Sequence, residues 1–451
     1  MAVIHLGTLA HLRANPFEQA DVLEVTEFGA LLVDETGHIV QAGKRKPILA
    51  AAPQAERVDH GNAWLIPGMV DGHLHFPQYY ATAAYGRQLM DWLEHSIYPA
   101  EAAYADAALA KRDAGRFVRN LLACGTTTAM VFGSQFLPAN LALFEAARGA
   151  GLRLIAGPTL MDRGAPPMLL QSVAQAHDHA ATLIALCRDE PLLHYAITPR
   201  FALSCTGAMM ELCGGLLKAH PECYLQTHIN ENRGEIDAVA KEFPWSRDYL
   251  DVYEHFGLLS ARTLLAHNIH VTDSELARLG QAGCAICHCP SSNLYLGSGL
   301  FSLRRHVQHG ITVAVGTDIG GGTRFSVWEE LSESYKIQKL QGMALGAAEL
   351  LYLGTLGGAK ALCLDGETGN FQAGKSADFF VLGLEGEDYL CRRLRRCESV
   401  VHQLFCLLHL ASARQVRATY VRGLRVFDAR TARLSSQLRS DRSGKPIWSL
   451  A

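Results

Sequence analysis

What the chain lacks narrows its class first. No apolar stretch runs long enough to span a bilayer: the segment at residues 404–410 is interrupted by His409 and flanked by polar residues, so no membrane partner is expected. The opening Met1-Ala2-Val3-Ile4-His5-Leu6-Gly7 has no basic region followed by a long apolar core, so no secretory signal is read there. Neither sign of charge is in excess. With 41 Lys and Arg against 44 Asp and Glu, the net charge of -3 leaves no basic footprint and implies no nucleic-acid partner. The run Cys391-Arg392-Arg393-Leu394-Arg395-Arg396 is short and fits a solvated helix face. The 12 cysteines are scattered rather than spaced as a disulfide framework, and they read as reduced thiols of a cytoplasmic protein. Fixed-period repeats and low-complexity tracts are also missing, which excludes solenoids and disordered linkers.

What is present is an ordinary globular balance, 49% hydrophobic and 19% charged, over 451 residues. That length suits a large barrel with a smaller second unit. Both ends read as short strands with hairpin turns, as in Gly29-Ala30-Leu31-Leu32-Val33-Asp34 and Ala418-Thr419-Tyr420-Val421. Between them, strands such as Thr126-Thr127-Thr128-Ala129-Met130-Val131-Phe132 and Thr263-Leu264-Leu265-Ala266-His267 alternate with longer amphipathic helices. Such alternation predicts an α/β fold, a (β/α)8 TIM-like barrel over residues 67–370. Residues 1–66 and 371–451 would then build a small β-sandwich domain from both chain ends.

The chemistry starts at His73-Leu74-His75, behind Pro67-Gly68-Met69-Val70-Asp71-Gly72. Side chains alternate along a strand, so the two imidazoles face one point and suit two ligands of a transition metal. Such a pair alone is common and often only structural. Other strands, however, end in residues of the same kind: His228, His267, His288 and Asp318. In a barrel the carboxyl ends of the strands meet over one mouth, and three histidines with one aspartate make a reasonable catalytic zinc set. Glu231, three residues past His228, is placed to take a proton from a water there. Taken singly, His228 reads equally well as a satisfied core histidine and Glu231 as an exposed glutamate at a helix start. Asp318 precedes Gly320-Gly321-Gly322, but no Lys-Ser/Thr follows to complete a phosphate loop. Coincidence at every strand end favours a shared site. Cys284-Ala285-Ile286-Cys287-His288 matches a haem-attachment pattern, yet its apolar setting reads as a buried strand with small buried thiols.

In this order, these residues resemble the amidohydrolase superfamily: Pro67 to His75, then His228, Ala266-His267 and Gly316-Thr317-Asp318. Further segments are similar to its guanine-deaminating branch. They include His75-Phe76-Pro77-Gln78-Tyr79, Trp92-Leu93, Tyr98-Pro99-Ala100-Glu101 and Thr198-Pro199-Arg200-Phe201-Ala202-Leu203-Ser204-Cys205. His288-Cys289-Pro290-Ser291-Ser292-Asn293 and Gly374-Lys375-Ser376-Ala377-Asp378 belong with them, and the similarity extends from about residue 25 to about residue 428. Phe76-Pro77 departs from the small residues expected there.

The resemblance implies one zinc ion per chain, held by His73, His75, His228 and Asp318; no lysine stands where a carbamylated bridge between two metals would be. It implies that Gln78, Arg200, Phe201 and His267 hold guanine, and that the chain is a homodimer. The implied reaction is hydrolysis to xanthine and ammonia. Glu231 would deliver the proton of the water to the ring nitrogen, Asp318 would pass a second to the leaving amine, and His267 would orient the reacting centre. Related amino-heterocycles, namely 8-oxoguanine, cytosine or a triazine, are the alternative substrates, and a silent scaffold the alternative role. The H-x-E…P-C-x-x-C signature of the small zinc deaminases is absent.

Overall fold

In a computed structural model, residues 1–84, 89–384, 386 and 388–431 are described. The amino-terminal strands are β1 (Val3–Leu12), β2 (Leu23–Val33), β3 (Ile39–Lys44) and β4 (Glu56–Pro67). Eight strands follow: β5 (Met69–His75), β6 (Thr126–Gly133), β7 (Arg153–Leu160), β8 (Leu193–Pro199), β9 (Tyr224–Ile229), β10 (Thr263–His267), β11 (Ala285–His288) and β12 (Val313–Val315). The chain closes with β13 (Phe379–Leu382), β14 (Val416–Val421) and β15 (Leu424–Asp428).

β5 to β12 pair in sequence order, all parallel, with helices between them. This is the expected eight-stranded α/β barrel. β5, β6 and β7 are buried along their whole length because helices cover one face and the barrel interior the other, and the polar residues they carry, Asp71, His73 and His75 among them, are buried with them. Val70, Met130, Ile155, Ala196, Tyr224, Leu264, Ala285, Cys287 and Ala314 fill the interior. At its base the Tyr224 hydroxyl donates to Leu362 O at 2.8 Å.

The seam between β12 and β5 is closed just past the strand ends, where Asp318 N donates to His73 O at 2.8 Å and His75 N to Ile319 O at 2.5 Å. The two chains approach so closely that a Cβ on Gly316 would stand 2.8 Å from His73 N and 2.7 Å from Cys287 Sγ. Glycine is what lets the ring shut there.

The chain ends meet as the sequence predicts, in one continuous mixed sheet ordered β15-β14-β13-β4-β1-β2-β3. The strands expected as a sandwich are thus hydrogen-bonded edge to edge. Register shifts in β1, against β2 and against β4, introduce the bulges that bend such long strands around a shared core. That core includes Leu9, Leu31, Val33, Leu65, Phe379 and Val381. β4 runs into β5 through Gly68, whose N–H donates to Asp378 O at 2.9 Å, so the sheet feeds the first barrel strand directly. Residues 432–451 of the expected terminal domain lie outside the described residues. The segment at 383–414 carries the helices Asp388–Leu394 and Val400–Leu410, the latter tied to the barrel by Trp328 Nε1 donating to Leu407 O at 3.1 Å. Among the described residues no helix is long and apolar enough to cross a membrane.

Candidate active site around a metal centre

Alternation along β5 puts Asp71, His73 and His75 on one side. Asp71 works below the two histidines: its Oδ1 accepts from Thr317 N at 3.0 Å and its Oδ2 from Thr317 Oγ1 at 2.6 Å, tying β5 to the turn that carries Asp318. Burial pushes the Asp71 carboxyl up to about 7. Asp318 itself has φ 47° and His267, at the end of β10, φ 71°. Both lie in the left-handed region, where a residue with a Cβ is held only by its surroundings, and the reversal turns each side chain out of its strand into the mouth.

Four donor atoms converge there. His73 Nε2 and His75 Nε2 are 3.2 Å apart, and each is 3.2 Å from Asp318 Oδ1. His228 Nε2 is 3.3 Å from His75 Nε2. The His228 tautomer is decided by its other nitrogen, which donates to Arg200 O at 2.6 Å and leaves a lone pair on Nε2. Burial, ahead of the neighbouring imidazoles, holds His228 well below its usual range; His73 is lowered to about 4, again mainly by burial. For Asp318, burial works the other way, but His73 and the bonds from His73 and His75 outweigh it and keep the carboxyl well below the ordinary carboxylate range.

Imidazole lone pairs and a carboxylate aimed at one point repel one another unless a proton or a metal cation sits between them. Four ligands about 2.0–2.1 Å from one ion in a tetrahedron stand roughly 3.3 Å apart. The spacings among His73, His75 and Asp318, and of His228 from His75, match. This donor set fits a divalent metal ion.

Beside it stand the acid–base groups. Glu231 is buried; its Oε1 accepts from Ser298 Oγ at 3.0 Å and its Oε2 lies 3.6 Å from His267 Nε2. Burial raises its carboxyl, so it holds a proton more readily than an exposed glutamate does. His267 Nδ1 is 2.9 Å from Asn293 Oδ1, which leaves Nε2 toward Glu231 and toward Asp318 Oδ2, 3.9 Å away. Burial would lower the His267 imidazole, but Glu231 and Asp318 outweigh it and raise it. Glu235 accepts from Glu231 N at 3.1 Å and from the Tyr249 hydroxyl at 2.7 Å, anchoring the turn after β9.

A pocket opens over these groups, lined by His75, Gln78, Trp92, Leu93, Arg200 and Phe201 together with His228, Glu231, Glu235, His267 and Asp318. It encloses about 430 Å³ of atom-free space, the open mouth included. Every proposed ligand and substrate-side residue of the sequence analysis except His73 lines it, and His73 lies directly behind as a donor. His288 does not join them. Its ring stacks on Phe301 at 4.5 Å, with both ring nitrogens buried and unpartnered. The glycine loop after Asp318 serves the pocket instead of a phosphate, since Gly320 N donates to Gln78 Oε1 at 3.2 Å. Cys284 and Cys287 are buried thiols, Cys284 pushed up to about 12 by burial, and all 12 cysteines are free. Sequence reasoning assigned no role to Asp71, Ser298, Asn293, Glu235 or Glu101. Asp71 was detectable as the residue two before His73 on the same strand face; Ser298 and Asn293 carry no local signal, because only folding brings them to Glu231 and His267.

The amidohydrolase family model matches residues 64–426, and the chain belongs to that family. Within the family it is similar to guanine deaminases. It is 42% identical over 431 residues to a Deinococcus radiodurans protein described as "Probable guanine deaminase", covering 94% of this chain and 98% of that one. The structure of the E. coli guanine deaminase superposes with a TM-score of 0.91 at 38% identity, covering 94% and 99% of the two chains. A guanine deaminase from C. acetobutylicum with guanine bound in its active site gives 0.86 at 27% identity, covering 95% and 100%.

Proposed function

We propose that this chain hydrolyses guanine to xanthine and ammonia with one zinc ion held by His73, His75, His228 and Asp318. The observation that carries the reading is one pocket in which His75, His228 and Asp318, with His73 directly behind them, face a buried Glu231 and the Gln78–Arg200–Phe201 group. Similarity to guanine deaminases over nearly the whole chain supports the substrate. Bound zinc supplies a Lewis acid that lowers the pKa of water toward neutrality.

The chain's own groups do the rest. Gln78 and Arg200 bind the polar edge of the ring and Phe201 packs on its face. Glu231, oriented by Ser298, takes the proton of the attacking water and hands it to the ring nitrogen beside the reacting carbon. Asp318 would hold the metal together with the three histidines, and its Oδ2, 3.9 Å from His267 Nε2, is placed to pass the second proton to the departing amine. His267 steadies both carboxylates with its positive character. Atoms balance as guanine plus water giving xanthine plus ammonia.

We assign residues 67–370 to the barrel that carries the site and residues 1–66 and 371–451 to the terminal domain, a division supported by the two sheets. A cytoplasmic location is proposed on the 12 free cysteines, and a homodimer on the family resemblance. Zinc-loaded protein should release ammonia from guanine, read by spectrophotometry. Turnover of cytosine, 8-oxoguanine or a triazine without turnover of guanine would replace the substrate, and no turnover of any of them would remove the reading. Size-exclusion chromatography with light scattering tests the dimer.

A further inference from the structure

The strongest unassigned feature is a carboxylate buried behind the substrate pocket. Glu101, 1% exposed, stands on the helix Tyr98–Ala102 and is held by four contacts. Its Oε1 accepts from Gln78 Nε2 at 2.8 Å and from Arg200 Nη1 at 2.9 Å; its Oε2 accepts from Arg200 Nη1 at 2.8 Å and from Gln135 Nε2 at 2.9 Å. Arg200 is 3% exposed and also lies over the Tyr98 ring, 5.4 Å from its centre. The same residue's carbonyl fixes the His228 tautomer. One buried carboxylate therefore determines how both polar substrate-side groups are presented. It pins one end of the Gln78 amide while Gly320 N pins the other.

The consequence is electrostatic. A lone buried guanidinium in a small pocket would favour an anionic ligand, since a charge out of water is stabilised mainly by an opposite charge. Paired with Glu101, Arg200 keeps its N–H donors but brings no net charge. A pocket so arranged suits a neutral ring edge that accepts hydrogen bonds. Deamination makes this matter, because replacing the amino group by a second carbonyl makes the ring N–H groups more acidic. The product is then partly anionic near neutrality, whereas guanine is not.

We propose that Glu101 is a specificity-determining residue: by neutralising Arg200 and fixing Gln78 it selects the neutral purine and prevents the anionic form of the product from being retained. This rests on the guanine reading above. Asp318, Glu231 and Glu235 also face the pocket, but the first two are engaged with the metal set and His267 and Glu235 with Glu231 N and the Tyr249 hydroxyl; Tyr98 meets the guanidinium through its ring. Glu101 is thus the carboxylate in direct contact with Arg200.

The test compares metal-loaded wild type, Glu101→Gln and Glu101→Asp, with xanthine as the probe at about pH 6 and about pH 9. Gln keeps the shape and removes the charge; Asp keeps the charge. Between those pH values the ratio of wild-type to Glu101→Gln dissociation constants for xanthine, titrated by calorimetry, should rise about tenfold or more, as expected for one uncompensated charge pair in a pocket. The Glu101→Asp ratio should stay within about threefold, and guanine turnover by Glu101→Gln should show a raised KM with kcat less affected. Equal pH profiles in wild type and Glu101→Gln would overturn the proposal, and so would a Glu101→Asp profile that follows Glu101→Gln. Should Glu101→Gln fail to fold or to hold metal, the Arg200→Gln variant removes the other charge and must weaken guanine binding without creating any preference for the xanthine anion; a preference there would also overturn it. Failure of the guanine reading is a separate result, absence of turnover in wild type, because xanthine binding can be titrated without turnover.

Discussion

Two pairs of histidines in this molecule make the same contact and mean different things. In the barrel mouth His73 Nε2 and His75 Nε2 are 3.2 Å apart; in the terminal sheet His5 Nδ1 and His60 Nε2 are also 3.2 Å apart. Both pairs are shielded from water, and burial lowers His73 to about 4, His5 to about 3 and His60 to about 4. The difference lies in what surrounds them. His5 and His60 stack at 11° and are packed edge-on by Phe379 and Tyr420, and the nearest charge to lower His60 further is the Arg417 guanidinium. One imidazole can donate to the other there, while His5 Nε2 is buried without a hydrogen-bond partner among those rings. His73 and His75 stand at 89° to each other, with a third lone pair from His228 and a carboxylate oxygen from Asp318 at the same spacing. Too few protons are available to satisfy four such atoms. A cation would complete one pair's surroundings, and aromatic packing covers the other's.

The comparison can be broken first at the metal. Asp318→Asn and His73→Ala should lose bound zinc, read by elemental analysis of dialysed protein, and guanine turnover should fall below detection; retention of a full equivalent of zinc would mean the four donors are not the ligands. His60→Gln must leave both readings unchanged if the terminal pair is only packing. Next in size, Glu231→Gln should keep zinc and lose about 10²–10⁴-fold in kcat, the span usual for removing a general acid–base group. Normal turnover in that variant would remove Glu231 from the reaction.

One buried group from each region differs in the sign of its pH dependence. In the barrel, Glu330 is fully buried with Ser291 N donating to Oε2 at 2.9 Å, and burial lifts its carboxyl to about 8. The folded chain therefore keeps a proton that the unfolded chain releases above its value of 4.5, so this contribution is whole at low pH and is lost as pH rises toward about 8. Glu330→Gln should flatten that loss, with its melting temperature gaining on wild type between about pH 5 and about pH 9. A gap that does not widen with pH would contradict the assignment. His60 in the terminal sheet behaves oppositely. Its folded value is depressed, so its contribution is whole above 6.5 and is lost as pH falls through about 4. His60→Gln should give the smallest effect of the set, a shallower acid limb in thermal melts. An unchanged acid limb would show that burial does not hold this imidazole neutral.

Some of the site was legible because its chemistry is local. His73-Leu74-His75 states its geometry in three residues, since a strand's period of two puts both rings on one side. His228, His267 and Asp318 were legible as ends of apolar runs, and the barrel rule says where such ends go. His288 satisfied the same rule and did not join, because its ring went to Phe301 and not to the mouth. A strand end gives a position without a side-chain direction. Glu101 was visible only as part of a familiar segment. Nothing near it in sequence announces a partner, since Arg200 lies 99 residues away.

By itself the sequence determined the class of fold and the kind of chemistry: alternation of buried strands and amphipathic helices specifies a barrel, and donor residues at strand ends specify a metal site. Tertiary structure alone decided which donors meet, how the terminal strands join in one sheet, and that Glu101 neutralises Arg200. The physical reason is range. Hydrophobic period and side-chain alternation act over a few residues and survive in a linear string. Charge compensation and tautomer choice depend on atoms within about 3 Å, and in this chain those atoms come from strands and loops that only the closed barrel brings together.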